Sequence, residues 1–356
     1  MAVDPALARS ITRRHRPGEV NARLLLGTIL LLAIALFGCW LVGTRSLDTG
    51  TDTETYAGFY ERLDQGLPET RLEPGFVYLS YALRNAGVDL VGYQMALFAL
   101  MLLTVFLATR NYHRFLGEAR GSRGFQTLLC ASLLLLFVSP MFVNASINAI
   151  RQGLAALLIF AALLNFHERR WWPFAIYGAV ATSLHFSSLL YLLCAPALLL
   201  SARNLRVVAA LVFLAYVSGA SMIAVRAAAP SLYATVMEYT ANPNYRSGVR
   251  IDFAVFTIFW YALANALAPL VKEPFRQRLI DSTAVYLVMA LPFFVIGWGF
   301  FSNRYLLPAW LAGSLIFAAI ACYNRIALLR NALLIRVGLL ASCGAFYLYV
   351  SRGIVI

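Results

Sequence analysis

The sequence predicts an all-α, polytopic transmembrane helical bundle. Three observations carry that reading. The chain of 356 residues is 61% hydrophobic and only 13% charged, against about 25% charged in soluble domains. Several apolar runs approach or exceed the roughly 20 residues that cross a bilayer. Arginines recur in the short segments between those runs, as the positive-inside rule asks of cytoplasmic loops. Open sheets cannot satisfy their backbone edges in lipid, so the runs are helices. The expected total is roughly 9–12 membrane helices, counting a re-entrant or broken hairpin and one interfacial helix.

Residues 1–23 form a basic segment with Arg9, Arg13, Arg14, Arg16 and Arg23, expected in the cytoplasm. A single transmembrane domain, 24–350, follows. Its first span is 24–43. A periplasmic loop, 44–90, comes next, and residues 48–89 hold half of the chain's 16 acids. Within it, "EPGFVYLSYALRNAGVDL" opens with Pro74, a residue suited to the first turn of a helix. The piece is short and carries Arg84, so 74–90 is read as an interfacial helix on the outer side. If it crossed the membrane, the arginines of loop 110–124 would fall outside.

Spans at 91–109, 125–143 and 151–166 come next, and the turn "HERRWW" (167–172) reads as cytoplasmic. The run 173–201 is too long for one span and too short for two, and Arg203 and Arg206 follow it. A hairpin that enters and leaves on the cytoplasmic side fits both facts. Spans at 207–225, 251–270, 279–300, 305–322 and 332–350 complete the bundle. Loops 271–278 and 323–336 are basic and inside, whereas 226–250 and 301–304 are outside.

The net charge is +13, and Lys272 is the only lysine. Loop arginines follow from the positive-inside rule. Arginines on the outer side do not, and guanidinium forks suit phosphates. No long basic run interleaves with aromatics, so nucleic acid is not expected as a partner. Cys39, Cys130, Cys194, Cys322 and Cys343 lie in apolar runs without CxxC or Cys/His spacing and read as small hydrophobes. No metal or cofactor motif is visible, so none is expected.

Polar residues collect on the outer side. "NAIRQ" sets Asn148, Arg151 and Gln152 at i, i+3 and i+4, on one face of a helix start. Free N–H groups there favour an anion, and an arginine opposes the helix dipole unless an anion binds beside it. Arg151 therefore either snorkels or pairs with a structural acid, or it binds a phosphate or carboxylate. Arg304, with Tyr305 beside it, offers the same choice, and two outer arginines could clamp a diphosphate. Arg250 and Arg246 lie in the loop 226–250. Asp52 and Glu73 are either solvated loop acids or general bases, and Tyr56 shares the loop of Asp52. His185 in "LHFSSLL" is either a neutral helix–helix hydrogen bonder, with Ser183, Ser187 and Ser188 at hand, or a proton acceptor at membrane depth.

Taken in order, "GTDTETY" (50–56), "EPGF" (73–76), "NAIRQGLA" (148–155), "LHFSSLL" (184–190) and "NRY" (303–305) resemble the EpsG family of bacterial exopolysaccharide and capsule proteins, often grouped with Wzy-type polymerases. No piece is specific alone; the ordered set is. The resemblance implies a multi-pass protein of the bacterial inner membrane that acts on polyprenyl-diphosphate-linked oligosaccharides at the periplasmic face, in exopolysaccharide, capsule or O-antigen synthesis. A Wzy-type reaction moves the growing glycan from its lipid diphosphate onto a hydroxyl of a new lipid-linked repeat, with no nucleotide sugar. On that reading Arg151, Arg304 and Arg250 stabilise the departing diphosphate. Asp52, Glu73 or His185 supplies the base. Asn148, Gln152, Tyr305 and Tyr56 hold sugars or orient the arginines. Apolar grooves take the polyprenyl chain, and other export or chain-length proteins are candidate partners. A ligase of the same chemistry and a flippase remain alternatives. A flippase predicts paired broken helices in two related halves, and one candidate hairpin is visible. An acyltransferase would want an acidic or Asn partner for His185 and a route for an acyl donor.

Overall fold

The computed structural model describes residues 17–117, 123–237, 248–299 and 301–353. Residues 1–16 of the expected basic segment, and Arg246, lie outside them. Among the described residues the chain forms helices and no strand, with one isolated bridge between Val271 and Asn324. The helices are α1 (Pro17–Gly43), α2 (Thr53–Arg62), α3 (Pro74–Asn85), α4 (Leu90–Phe115), α5 (Arg123–Phe137), α6 (Pro140–Ile147), α7 (Ile150–His167) and α8 (Trp171–Leu184). They continue as α9 (Ser188–Leu193), α10 (Ala202–Val217), α11 (Ala220–Ala228), α12 (Pro230–Met237), α13 (Ile251–Leu267), α14 (Glu273–Ile296), α15 (Leu307–Cys322) and α16 (Ala332–Ser351).

Among the described residues six helices are long and apolar enough to cross a membrane: α1, α4, α7, α13 (with its 3-10 extension to Leu270), α14 and α16. Each stretch read as a span is helical, but two of them are broken. The run 125–143 is α5 and α6, bent by 83°. Pro140, at the first turn of α6, lacks an N–H and starts a new helix rather than extending the old one. The run 207–225 is α10 and α11, bent by 90°. The bend sits at Gly219, whose φ of +78 is the left-handed conformation that glycine adopts without a Cβ clash. Counting each bent pair as one span gives up to eight, and α15 is a shorter apolar helix. The expected loop 271–278 belongs mostly to α14, whose first turn holds Pro274.

The run 173–201 is a hairpin. Its arms are α8 and α9, the latter continued by the 3-10 turn Ala195–Leu199. Gly178 packs on Leu192 of the returning arm, where a Cβ would come within 3.0 Å. The hairpin returns near its start, since Leu198 and Leu200 line a small cavity with His167, the last residue of α7. The 14 residues of α8 rise about 21 Å at roughly 1.5 Å each, short of the roughly 30 Å hydrocarbon core. Helix α8 alone is therefore too short to cross, and the chain turns back at the break that holds His185. The interfacial helix is shorter than expected. It stops at Asn85, and after Gly87 (φ +75) the Asp89 carboxylate caps α4 by accepting from the Gly92 N–H at 2.8 Å.

Helices α7 and α14 are 89% and 78% buried, against 22–39% for the other four long helices, so these two form the core. Alanines and Gly153 along α7 let neighbouring helices approach closely. Contacts sort the two ends of the bundle. At one end, Gln126 Nε2 donates to Leu24 O at 3.0 Å and Arg336 Nη2 to Gln126 Oε1 at 2.9 Å. Glu168 there sits 3.7 Å from both Arg114 and Arg278. The opposite end gathers the first loop, the start of α3, the start of α7, the hairpin tip and the 3-10 turn Ser302–Tyr305.

Candidate functional site

Glu73 stands at the centre of that end. It is the extended residue that precedes α3, with φ −68 and ψ 141, and it is only 3% exposed. A carboxylate buried so deeply needs partners, and it has three. Arg151 Nη1 pairs with Oε2. His185 Nδ1 lies 2.8 Å from Oε1, and the Phe186 N–H donates to the same oxygen at 3.1 Å. Burial pushes the Glu73 carboxyl up, but the His185 hydrogen bond and the Arg151 charge outweigh it and hold the group at about 2. An ionised carboxylate only accepts, so His185 Nδ1 carries a proton and donates it to Glu73.

The hairpin break makes this meeting possible. His185 ends α8 in an extended conformation, φ −158 and ψ 116. The turn that follows is closed by the Ser188 N–H donating to His185 O at 3.0 Å. Helix α3 lies directly on this tip. A Cβ at Gly75 would come within 2.6 Å of Ser183 Oγ and 2.7 Å of its carbonyl oxygen. Glycine in "EPGF" is what allows Glu73 to reach His185.

Arg151 lies in the first turn of α7, and its Nε donates to the Tyr56 hydroxyl at 3.3 Å. The anion that offsets a cation at this helix N-terminus is thus the protein's own Glu73. Tyr56 is buried, and burial pushes its phenol up, so it stays protonated.

A second pair stands beside the first. Arg304 Nη2 is 3.3 Å from Asp52 Oδ2, and the guanidinium lies over the Phe301 ring at 4.2 Å. The Arg304 and Asp52 side chains are 37% and 34% exposed, against 22% and 4% for Arg151 and Glu73. Arg304–Asp52 is the open pair and Arg151–Glu73 the covered one. Gln152 Nε2 donates to the Arg304 carbonyl, and the Tyr191 hydroxyl donates to the Tyr305 carbonyl at 2.9 Å. Neighbours in sequence, Arg151 and Gln152, therefore tie the two pairs together.

Asp52 is held by a pinned loop. Gly50 takes φ +95, with Asn148 Oδ1 packed where a Cβ would sit. Thr53 Oγ1 reaches Thr49 O at 2.6 Å and Ile147 O at 3.2 Å. Arg45 clasps the other side, donating to Thr53 Oγ1 at 3.3 Å and to Gln94 Oε1 at 3.0 Å. Arg45, Thr53, Gln94 and Tyr191 escaped the sequence reading. Arg45 carried a usable signal: it follows the first span on the side expected to be outer, where the positive-inside rule gives no reason for an arginine.

The structure brings Asp52, Tyr56, Glu73, Arg151, Gln152, His185, Arg304 and Tyr305 to one place. Asn148, Arg151 and Gln152 do not share a helix face, because α6 ends at Ile147 and α7 starts at Ile150. Asn148 instead donates to Asn144 Oδ1 at 3.0 Å, and both Asn148 and Gln152 are buried behind the arginines. Arg250 is tied elsewhere. It holds Asp252 at 2.6 Å and 3.0 Å, lies over Phe253 at 3.9 Å, and its N–H reaches the Tyr216 hydroxyl at 2.9 Å. Ser183 and Ser188 donate to carbonyls of α8, so the partner of His185 is Glu73. Among the described residues no three His, Cys, Asp or Glu side chains converge as a metal site would require.

The motifs that build this cluster run in one order along the chain, and the sequence model of one family matches residues 28–354. The chain belongs to the EpsG family. Membership over that length takes in α2 to α16 entire and most of α1, so the whole cluster falls inside the matched EpsG region. It suggests an exopolysaccharide-related, polymerase-like membrane protein. No curated protein and no solved structure matches the chain.

Proposed function

We propose that this EpsG-family chain is a polysaccharide polymerase that joins polyprenyl-diphosphate-linked repeats at the periplasmic face of a bacterial inner membrane. The observation that carries this reading is Glu73, which bridges His185 and Arg151 beside the open Arg304–Asp52 pair. The arginine-rich opposite end supports a cytoplasmic assignment for that end and for the N-terminus.

His185 is the base. The acceptor hydroxyl approaches Nε2 while Glu73 fixes the Nδ1–H tautomer. The acceptor oxygen attacks the anomeric carbon of the donor, and its proton passes to Nε2. The bond from that carbon to the diphosphate oxygen breaks, and its electron pair leaves on the diphosphate. His185 becomes cationic as the diphosphate gains negative charge, so the two changes stabilise one another. Glu73 then holds an imidazolium, as a buried carboxylate does in other His-based sites.

Arg304 receives the diphosphate. An ion pair this open is worth only about 0–1 kcal/mol, so Arg304 can exchange Asp52 for a phosphate oxygen. Arg151 stays with Glu73, because breaking a covered pair by losing one partner costs about 3–5 kcal/mol. Asn148 and Gln152 support the arginines from behind, and Tyr56 orients Arg151. A His–Glu dyad also suits acyl transfer; the arginine pair beside it and family membership favour a diphosphate donor.

Purified protein incubated with a lipid-linked repeat and no nucleotide sugar tests the proposal. A ladder of extended glycans supports it. Unchanged substrate that crosses the bilayer of a proteoliposome points to a flippase instead, and O-acylated product in the presence of an acyl donor points to acyl transfer.

A further inference from the structure

One apolar groove shares its wall with the charged cluster. It holds about 410 Å³, within the range of about 300–1,000 Å³ typical of small-molecule sites. Phe174, Gly178 and Ala179 of α8 face Leu189 and Leu192 of α9 across it. Its upper rim is Pro74, Ser183 and Phe186. Pro74 directly follows Glu73, Phe186 directly follows His185, and the Phe186 N–H holds the Glu73 carboxylate. Around the groove, Trp172, Ile176, Val180 and Leu193 are exposed and apolar, the surface a hydrocarbon environment accepts. A ligand can therefore slide in from the bilayer rather than from water.

Head and tail needs coincide here. An amphiphile lying in the groove would run its chain down α8 and set its polar head at the hairpin tip, against His185 and the adjoining arginines. Arg151 already offsets the Glu73 charge, and the open Arg304–Asp52 pair beside them leaves a guanidinium able to turn to an incoming head group. That favours an anionic head over a cationic one. Phe174, Phe186, Leu189 and Leu192 give that chain apolar walls along α8 and α9.

We infer that the groove between α8 and α9 seats the isoprenoid chain of the lipid-diphosphate donor, and so selects the donor by its tail. This rests on the polymerase reading above. Ala179 lies exposed on the groove floor, so Ala179→Trp fills it from the open side. The experiment compares turnover of oligosaccharide donors on a long polyprenyl diphosphate and on a two-isoprene diphosphate, for the wild type and for Ala179→Trp. The wild type should prefer the long chain. In the variant the long-to-short activity ratio should drop by about tenfold or more, the scale at which hydrophobic pockets respond to lost methylene contacts. A ratio equal to that of the wild type overturns the inference, whether both rates hold or both fall together. Ala175→Trp, one turn along α8 on the same lining, gives the same reading if Ala179→Trp is poorly folded. Inactivity of the wild type on both donors overturns the polymerase reading instead. Activity on both with no chain preference overturns the groove alone.

Discussion

His185 Nδ1 and Glu73 Oε1 stand 2.8 Å apart, although 112 residues separate them in sequence. The contact joins the tip of a membrane hairpin to the start of an interfacial helix. It also sets the chemistry of both groups. The carboxylate is held too acidic, at about 2, to take a proton from a sugar hydroxyl near neutral pH. The imidazole turns Nδ1 to that carboxylate, which leaves Nε2 as the ring nitrogen that can meet a substrate. On the proposed function the base is therefore the histidine, and Glu73 is the residue that positions it.

Glu73→Gln keeps the shape and removes the charge. Turnover of lipid-linked repeats should fall by about 10²–10⁴-fold, the usual worth of a positioned acid–base group. His185→Ala should fall similarly, and the double variant should be little worse than either single one, because the two act as a unit. Additive losses would show separate roles.

Arg151→Ala leaves Glu73 covered and unpaired, at a cost of about 3–5 kcal/mol. Thermal unfolding in detergent should drop sharply for this variant. Adding Glu73→Ala should restore much of the stability and none of the activity. Arg151→Lys cannot reach Tyr56 and Glu73 together with one ammonium, and it should lose both stability and chain extension. A stable Arg151→Ala single variant would contradict the pairing.

Arg304→Ala should act on the donor. A charge-assisted contact is worth about 1.5–3 kcal/mol, so the KM for the lipid-linked donor should rise roughly 10- to 100-fold. Asp52→Asn should lower that KM, since it frees Arg304 for the diphosphate. A collapse of kcat with unchanged KM in Asp52→Asn would make Asp52 the base instead.

The Glu73 carboxyl also fixes a response to acid. Its folded-state value lies below the ordinary 4.5. A depressed carboxyl contributes stability above its unfolded value and loses it as pH falls through the folded one. Unfolding temperature should decline between about pH 4.5 and pH 2. Glu73→Gln should flatten that part of the profile. An identical decline in both proteins would place the acid sensitivity elsewhere.

Much of this site was legible in the sequence because its pieces are short polar interruptions of apolar runs. Asp52, Glu73, Arg151, His185 and Arg304 each stood out for that reason, and loop arginines alone sorted the ends of the helices. Their pairing was not legible. Nothing in "EPGF" or "LHFSSLL" reveals that Gly75 lets α3 sit on Ser183 and bring Glu73 to His185. The shared face expected for "NAIRQ" assumed one continuous helix, but the chain breaks at Asn148 and Ala149. Hydropathy also passed over the bends at Pro140 and Gly219, since a turn inside lipid-facing sequence costs no apolar residues. Arg250 was grouped with the others by its place in an outer loop, whereas Asp252, two residues on, occupies it.

The most direct test is the rate of linkage formation by purified His185→Ala on a lipid-linked repeat. Its unfolding temperature, measured alongside, shows that the fold is retained. The dyad requires a loss of about 10²–10⁴-fold in turnover, with polyprenyl diphosphate release falling in step. A folded His185→Ala protein that builds glycan at the wild-type rate would contradict it.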